Sequence, residues 1–189
     1  MAKVTIFVEG VNDELFLRQL IRKIYNIELG LIHEVGGIIV MGGHNKEHLF
    51  KSKFQQGTKN IVFEDADLKK DNRGLDNVKS LLDTQKINNQ IIFDYFIFPN
   101  NQEQEGSLEN ILLNIAQQPK NEWINCAKNY YECLDKNGFE IPNAHGRWDY
   151  MTGYLIKDKN LNFTDETTWF IDENPYLKPL IDFLDKYFK

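Results

Sequence analysis

Short apolar runs alternating with helix-period segments constrain this chain more than any other feature. Val4-Thr5-Ile6-Phe7-Val8 is apolar almost throughout and rich in β-branched residues, the mark of a buried strand. It exits through Gly10-Val11-Asn12-Asp13, where Asn12 or Asp13 can cap a following helix. In that helix Leu15, Phe16, Leu20, Ile21 and Ile24 recur at helical spacing and form one apolar face. The alternation then repeats. A second strand centres on Ile38-Ile39-Val40-Met41, bracketed by Gly36-Gly37 and Gly42-Gly43, and a polar helix is predicted over His44–Gln56. A third strand covers Asn60–Glu64, a helix Leu75–Thr84, and a fourth strand Ile91–Phe98. Strands this apolar, joined by helices, predict a mainly parallel sheet flanked by helices on both faces, an α/β fold.

After Pro99 the pattern turns helical. Asn100–Gly106 reads as a polar loop, and Ser107 as the cap of a helix over Leu108–Gln117. Pro119 opens another helix, through Trp123, Cys126, Tyr130 and Cys133, to a stop at Gly138. A helix near Trp148–Asp158 and an edge strand at Thr168–Ile171 follow, and Asn174-Pro175 opens a closing helix through Leu180, Phe183 and Leu184. The expected organisation is an α/β core over residues 1–118 and a mainly helical extension over 119–189, packed as one structural domain.

Bulk properties narrow the function classes. A formal net charge of −6 and a pI near 5.3 give no overall basic field for nucleic acid or an anionic membrane, leaving room only for a local basic patch. No apolar stretch is long enough to cross a bilayer and no signal pattern opens the chain, so a cytoplasmic location and no membrane partner are expected. Cys126 and Cys133, seven apart on one helix, are too far separated for an easy disulfide and are expected to be buried thiols in a reducing compartment.

The chemistry-bearing residues gather at strand ends. Glu9 follows the first strand, and Asp65-Ala66-Asp67 the third, the edge at which open α/β sheets present ligand-binding groups. Acids collected there repel one another unless a cation holds them, and oxygen-rich sets suit Mg²⁺ or Mn²⁺. In extended backbone Asp65 and Asp67 reach one ion only if the chain turns at Ala66, and the turn-rich segment 68–74 makes room for that. Glu64 points away from Asp65 by strand parity and is left out. Gly10 either opens space for a phosphate or serves a tight strand-to-helix turn. Asp13 is a secondary ligand candidate whose simpler role is capping the first helix. Ser107 and Glu109 are explained by N-capping and first-turn placement, with a second-metal role for Glu109 as the alternative. His33, His44, His48 and His145 make no zinc spacing, and the glycine pairs around residues 38–41 match neither the Walker nor the dinucleotide pattern.

The segment Val8-Glu9-Gly10-Val11-Asn12-Asp13-Glu14-Leu15-Phe16-Leu17, followed by Phe63-Glu64-Asp65-Ala66-Asp67, resembles the TOPRIM domain of topoisomerases, bacterial primases, recombination proteins and Old-type nucleases. The later Phe98-Pro99 and Gly106-Ser107-Leu108-Glu109 look closest to small stand-alone TOPRIM proteins related to the Old nucleases. The resemblance implies a Rossmann-like TOPRIM core with a helical C-terminal elaboration. It also implies Glu9 as general acid or base, Asp65 and Asp67 as the Mg²⁺ pair, and Ser107 with Glu109 as a further acidic ligand motif. Old-type nucleases add a late lysine, for which Lys157 stands in a plausible region with Arg147 and Lys159 competing. The implied activity is Mg²⁺-dependent, nuclease-like hydrolysis of nucleic acid. The alternative is a non-catalytic module that binds metal, nucleotide or nucleic acid beside a partner protein. A phosphatase similar to the haloacid dehalogenases ranks last, because Lys69 stands where that family has Thr or Val and its Asp motif belongs to the first strand.

Overall fold

A computed structural model describes residues 3–29, 36–42, 57–69, 72–115, 120–142, 146 and 174–189. The elements in chain order are β1 (Val4–Val8), α1 (Val11–Tyr25), β2 (Gly36–Val40), β3 (Lys59–Asp65), α2 (Leu75–Asn89), β4 (Asp94–Phe98), α3 (Leu108–Ile115), α4 (Lys120–Lys136) and α5 (Lys178–Phe188). The strands form one sheet in the order β2-β1-β3-β4, and every pairing is parallel. Among the described residues this is a four-stranded Rossmann-like α/β fold, as the alternation of strand and helix patterns predicts.

The strand order sets the position of the site. From β1 the chain goes to a neighbour on one side, β2, and then returns to the other side of β1 as β3. Connections that leave adjacent strands in opposite directions open a crevice at their carboxyl ends. Glu9 follows β1 and Asp65 closes β3, so both acids stand at that crevice.

Strand side chains alternate between two cores. Val4, Ile6, Val8, Ile38, Ile61, Phe63, Phe96 and Phe98 pack on one face with residues of α1, α3, α4 and α5. Phe7, Ile39, Val62 and Ile97 pack on the other, with Leu75, Val78 and Leu82 of α2. The same parity carries to the end of β3, where Glu64 belongs to the α2 side and Asp65 to the α1 and α3 side. The C-terminal helix is tied across the sheet: Phe183 meets the Phe63 ring edge-on at 5.9 Å, and the Tyr187 hydroxyl donates to Asp94 on the edge strand. Tyr25 of α1 donates to Asp185 at 2.7 Å.

Several local expectations shift. In α1 the buried face is Phe16, Leu17, Leu20 and Ile21, while Leu15 is 37% exposed. Helix α2 runs past Thr84 to Asn89, and β3 already includes Asp65. Strand β4 begins at Asp94, three residues later than the apolar run suggests. Cys126 and Cys133 are free and exposed, not buried, because α4 turns Ala127 and Tyr131 inward and so puts both thiols on its outer side. Its stop at Gly138, with φ of +76°, is as expected. The predicted helices over His44–Gln56 and Trp148–Asp158 and the strand at Thr168–Ile171 lie outside the described residues, as do the four histidines. No described helix is long and apolar enough to cross a membrane.

Candidate functional site

At the end of β1, the carbonyl of Glu9 accepts the Gly42 N–H at 3.0 Å, which prolongs the pairing with β2 and fixes the Glu9 backbone. Gly10 is the N-cap of α1, and Asp13, in the first turn, accepts the Gly10 N–H at 2.8 Å. Asp13 therefore caps α1 by reaching back, and its carboxyl is buried beside the crevice. Gly10 has φ −128° and ψ 171°, extended backbone open to any residue. Among the described residues, the nearest atom to a Cβ built there is Asp13 Oδ2 at 3.7 Å. Neither strain nor packing of these residues requires glycine, and its missing side chain leaves the space beside Glu9 open.

At the end of β3, Asp65 Oδ1 accepts the Leu108 N–H at 3.0 Å. A strand carboxylate thus satisfies a first-turn donor of α3, across 43 positions of sequence. Ser107 does not cap through its hydroxyl, which donates to Glu109 Oε2 at 2.6 Å; Asn110 Oδ1 accepts the Ser107 N–H instead, at 2.9 Å. The turn falls at Asp67, with φ of +56°, and not at Ala66. It is held there because Asp67 N–H donates to the Gly106 carbonyl at 2.8 Å and Gly106 N–H donates back at 3.2 Å. Gly106 itself has φ of +142°, and a Cβ on it would meet Pro99 Cδ at 2.8 Å, next to the cis Phe98–Pro99 bond. Gly106→Ala is expected to cost about 1–3 kcal/mol, from left-handed strain and the clash together. A lowered urea midpoint with an unchanged m-value checks it.

Arg73, just before α2, is the residue that sequence reasoning missed. Its Nε donates to Asp67 Oδ2 at 3.1 Å, and its Nη2 donates to Glu64 Oε2 at 3.3 Å and to the Asp65 carbonyl at 3.1 Å. Glu64, left out by parity, does lie on the opposite side from Asp65, but is joined to the site through this guanidinium. Gly74 makes the geometry possible: with φ of +97° it donates to the Ala66 carbonyl at 2.6 Å and folds residue 73 back over the acids. A lone arginine in an acid-rich turn was the available signal, with Lys69 and Lys70 as rivals.

The site is electrostatically unbalanced. Burial raises the Asp65 pKa well above the ordinary carboxylate value, and the carboxylates of Asp13, Glu109, Asp67 and Glu9, in that order, raise it further. Every sequence-predicted acid therefore acts on Asp65 at one edge. Arg73 is stabilised in its charged form: burial alone would lower its pKa, but Glu64 and Asp67 outweigh that. Among the described residues, no three carboxylates, imidazoles or thiols converge on one point as they stand, and Asp65, Asp67, Glu109 and Asp13 each accept from a protein donor. In kind the set fits a hard divalent cation, all oxygen and short of positive charge. Lys157, Arg147 and Lys159 lie outside the described residues. No protein-family model, curated protein or solved structure matches this chain.

Proposed function

We propose that the chain is a Mg²⁺-dependent, TOPRIM-like phosphodiester hydrolase acting on nucleic acid. The observation that carries this reading is the placement of Glu9 after β1, Asp65 and Asp67 at the end of β3, and Asp13 and Glu109 in the first turns of α1 and α3, around an Asp65 whose pKa is raised first by burial and then by these acids. A structural role would not require so many like charges at a switch-point crevice, since one acid suffices to cap each helix. Asp65 and Asp67 are the principal ligands, joined by Glu9, with Glu109 and, secondarily, Asp13 at the rim. Mg²⁺ or Mn²⁺ bound there supplies polarisation of a phosphate oxygen and charge stabilisation at the leaving oxygen. Glu9, on a backbone fixed by Gly42 and beside the open space at Gly10, is the group that moves a proton.

A second reading is a non-catalytic module for metal, nucleotide or nucleic acid within a defence or repair assembly. It is favoured by the protein donors already on Asp67 and Glu109 and by the net charge of −6. Purified protein incubated with single- and double-stranded DNA and RNA separates the two. Cleavage in Mg²⁺ or Mn²⁺ that stops on chelation and returns with the metal is expected. Measurable binding of Mn²⁺ or nucleic acid without cleavage in either metal would support the module and sink the enzyme.

A further inference from the structure

Resting on the metal reading above, we propose that Arg73 is the second cation of the site: a fixed guanidinium that stands where a second metal ion would otherwise be needed and limits the cluster to one divalent ion. Three observations carry this. First, Arg73 reaches acceptors on three residues of the acidic turn, Glu64 Oε2, the Asp65 carbonyl and Asp67 Oδ2, through two of its nitrogens. The planar, many-donor guanidinium suits such a bridge, since its donors are fixed in one plane and directed at several acceptors at once. Second, Arg73 is not free to leave. Glu64 is 5% exposed and lies on the α2 face, away from the crevice, so losing the guanidinium strands a buried charge that an ion in the crevice does not reach. Third, Asp67 cannot follow a metal by moving its backbone, because both its N–H and its carbonyl are engaged by Gly106.

The consequence is a division of the acids. Asp65 and Asp13 stand on the α1 and α3 side, Asp65 against the Leu108 N–H and Asp13 against the Gly10 N–H, and the single ion is assigned there. Asp67 is shared, with one oxygen on Arg73. A second dication between Asp67 and Glu109 would be brought against a permanent positive charge in a partly buried setting, where such repulsion is poorly screened. Glu109, the sequence candidate for a second metal, instead accepts the Ser107 hydroxyl and stays with its own helix. Arg73 is thus a positioning residue, acting through Asp67.

Counting ions tests this. Mn²⁺ titration of the full chain, followed by electron paramagnetic resonance, is expected to give one bound ion per folded wild-type chain. The double variant Glu64→Gln with Arg73→Met removes both charges and orphans neither; it is expected to bind two. Two ions on the wild type, or a single ion on a folded double variant, overturns the assignment of Arg73. No ion on the wild type removes the metal reading itself, and this inference falls with it. If the double variant does not fold, Glu64→Gln with Arg73→Gln, which keeps a polar side chain at 73 without its charge, replaces it; its count is expected to be two, and a count still at one overturns the proposal.

Discussion

Glu9→Gln and Asp65→Asn are each expected to lower Mg²⁺-dependent cleavage by roughly 10²–10⁴-fold, the usual range for loss of a proton-transfer group, and by at least as much where a principal metal ligand is lost. The two variants separate in stability. Asparagine at 65 keeps an oxygen for the Leu108 N–H while removing the charge on which Asp13, Glu109, Asp67 and Glu9 act. The Asp65 pKa is raised in the folded state, so the native protein holds a proton that the unfolded chain releases. Its contribution to stability is fully present below the ordinary carboxylate pKa, near pH 4, and is lost as pH rises through the raised value. Without metal, Asp65→Asn should therefore match the wild type in acid and melt above it at pH 8. A gain of about 1 kcal/mol corresponds to about 2–4 °C in a chain of this size. Added Mn²⁺ reverses the order, because an ion at about 100 times its Kd stabilises the wild type by about 2.7 kcal/mol and the variant by far less. Melting curves at two pH values, with and without Mn²⁺, read all of this. An Asp65→Asn protein that melts below the wild type at pH 8 without metal would show that the carboxylate serves only as a cap.

Phe63→Ala should be the most damaging single change to the fold, lowering stability by about 3–5 kcal/mol. Phe63 is fully buried two residues before Asp65 and lies 6.0 Å from the Phe96 ring, 5.7 Å from Phe98 and 5.9 Å from Phe183. Its removal opens a cavity where β3, β4 and α5 meet, and the aromatic neighbours are held by two strands and a helix that cannot collapse together to fill it. Native domains have only about 5–15 kcal/mol in hand, so the variant stands close to unfolding at physiological temperature. Because Phe98 leads directly into the Pro99 and Gly106 turn that fixes Asp67, Mn²⁺ affinity should fall as well. Ile87→Ala, at a position 75% exposed, is the control and should stay within about 0.5 kcal/mol of the wild type. Urea midpoints for the two variants decide the matter, and equal midpoints would contradict the core described above.

The parts legible in the sequence were those governed by local periodicity. Val4–Val8 and the run through Phe63 announce strands because β-branched and aromatic residues crowd there, and helix spacing follows each. From that alone Glu9 and Asp65 fall at one sheet edge. What was not legible depends on contacts between distant segments. The turn at Asp67 is dictated by Gly106, 39 positions later by numbering, whereas strand periodicity by itself points to Ala66 as the pivot. Ser107 looks like a helix cap until Asp65 supplies the acceptor from β3. Parity correctly separates Glu64 from Asp65, yet a long arginine spans both sides of a strand end, and only the left-handed backbone of Gly74 directs it there. Leu15 and Leu17 both fit a helical stripe, and which one is buried depends on how α1 rolls on the sheet.

On the proposed reading, the acids at the β1 and β3 ends form one metal centre. Crystals grown in Mn²⁺ and measured at the manganese edge decide it. An anomalous peak bounded by the carboxylates of Glu9, Asp65 and Asp67, with Arg73 still on Glu64, is the expected result. Crystals with no peak in that crevice, and with Asp65 still on Leu108 and Asp67 still on Arg73, would contradict it.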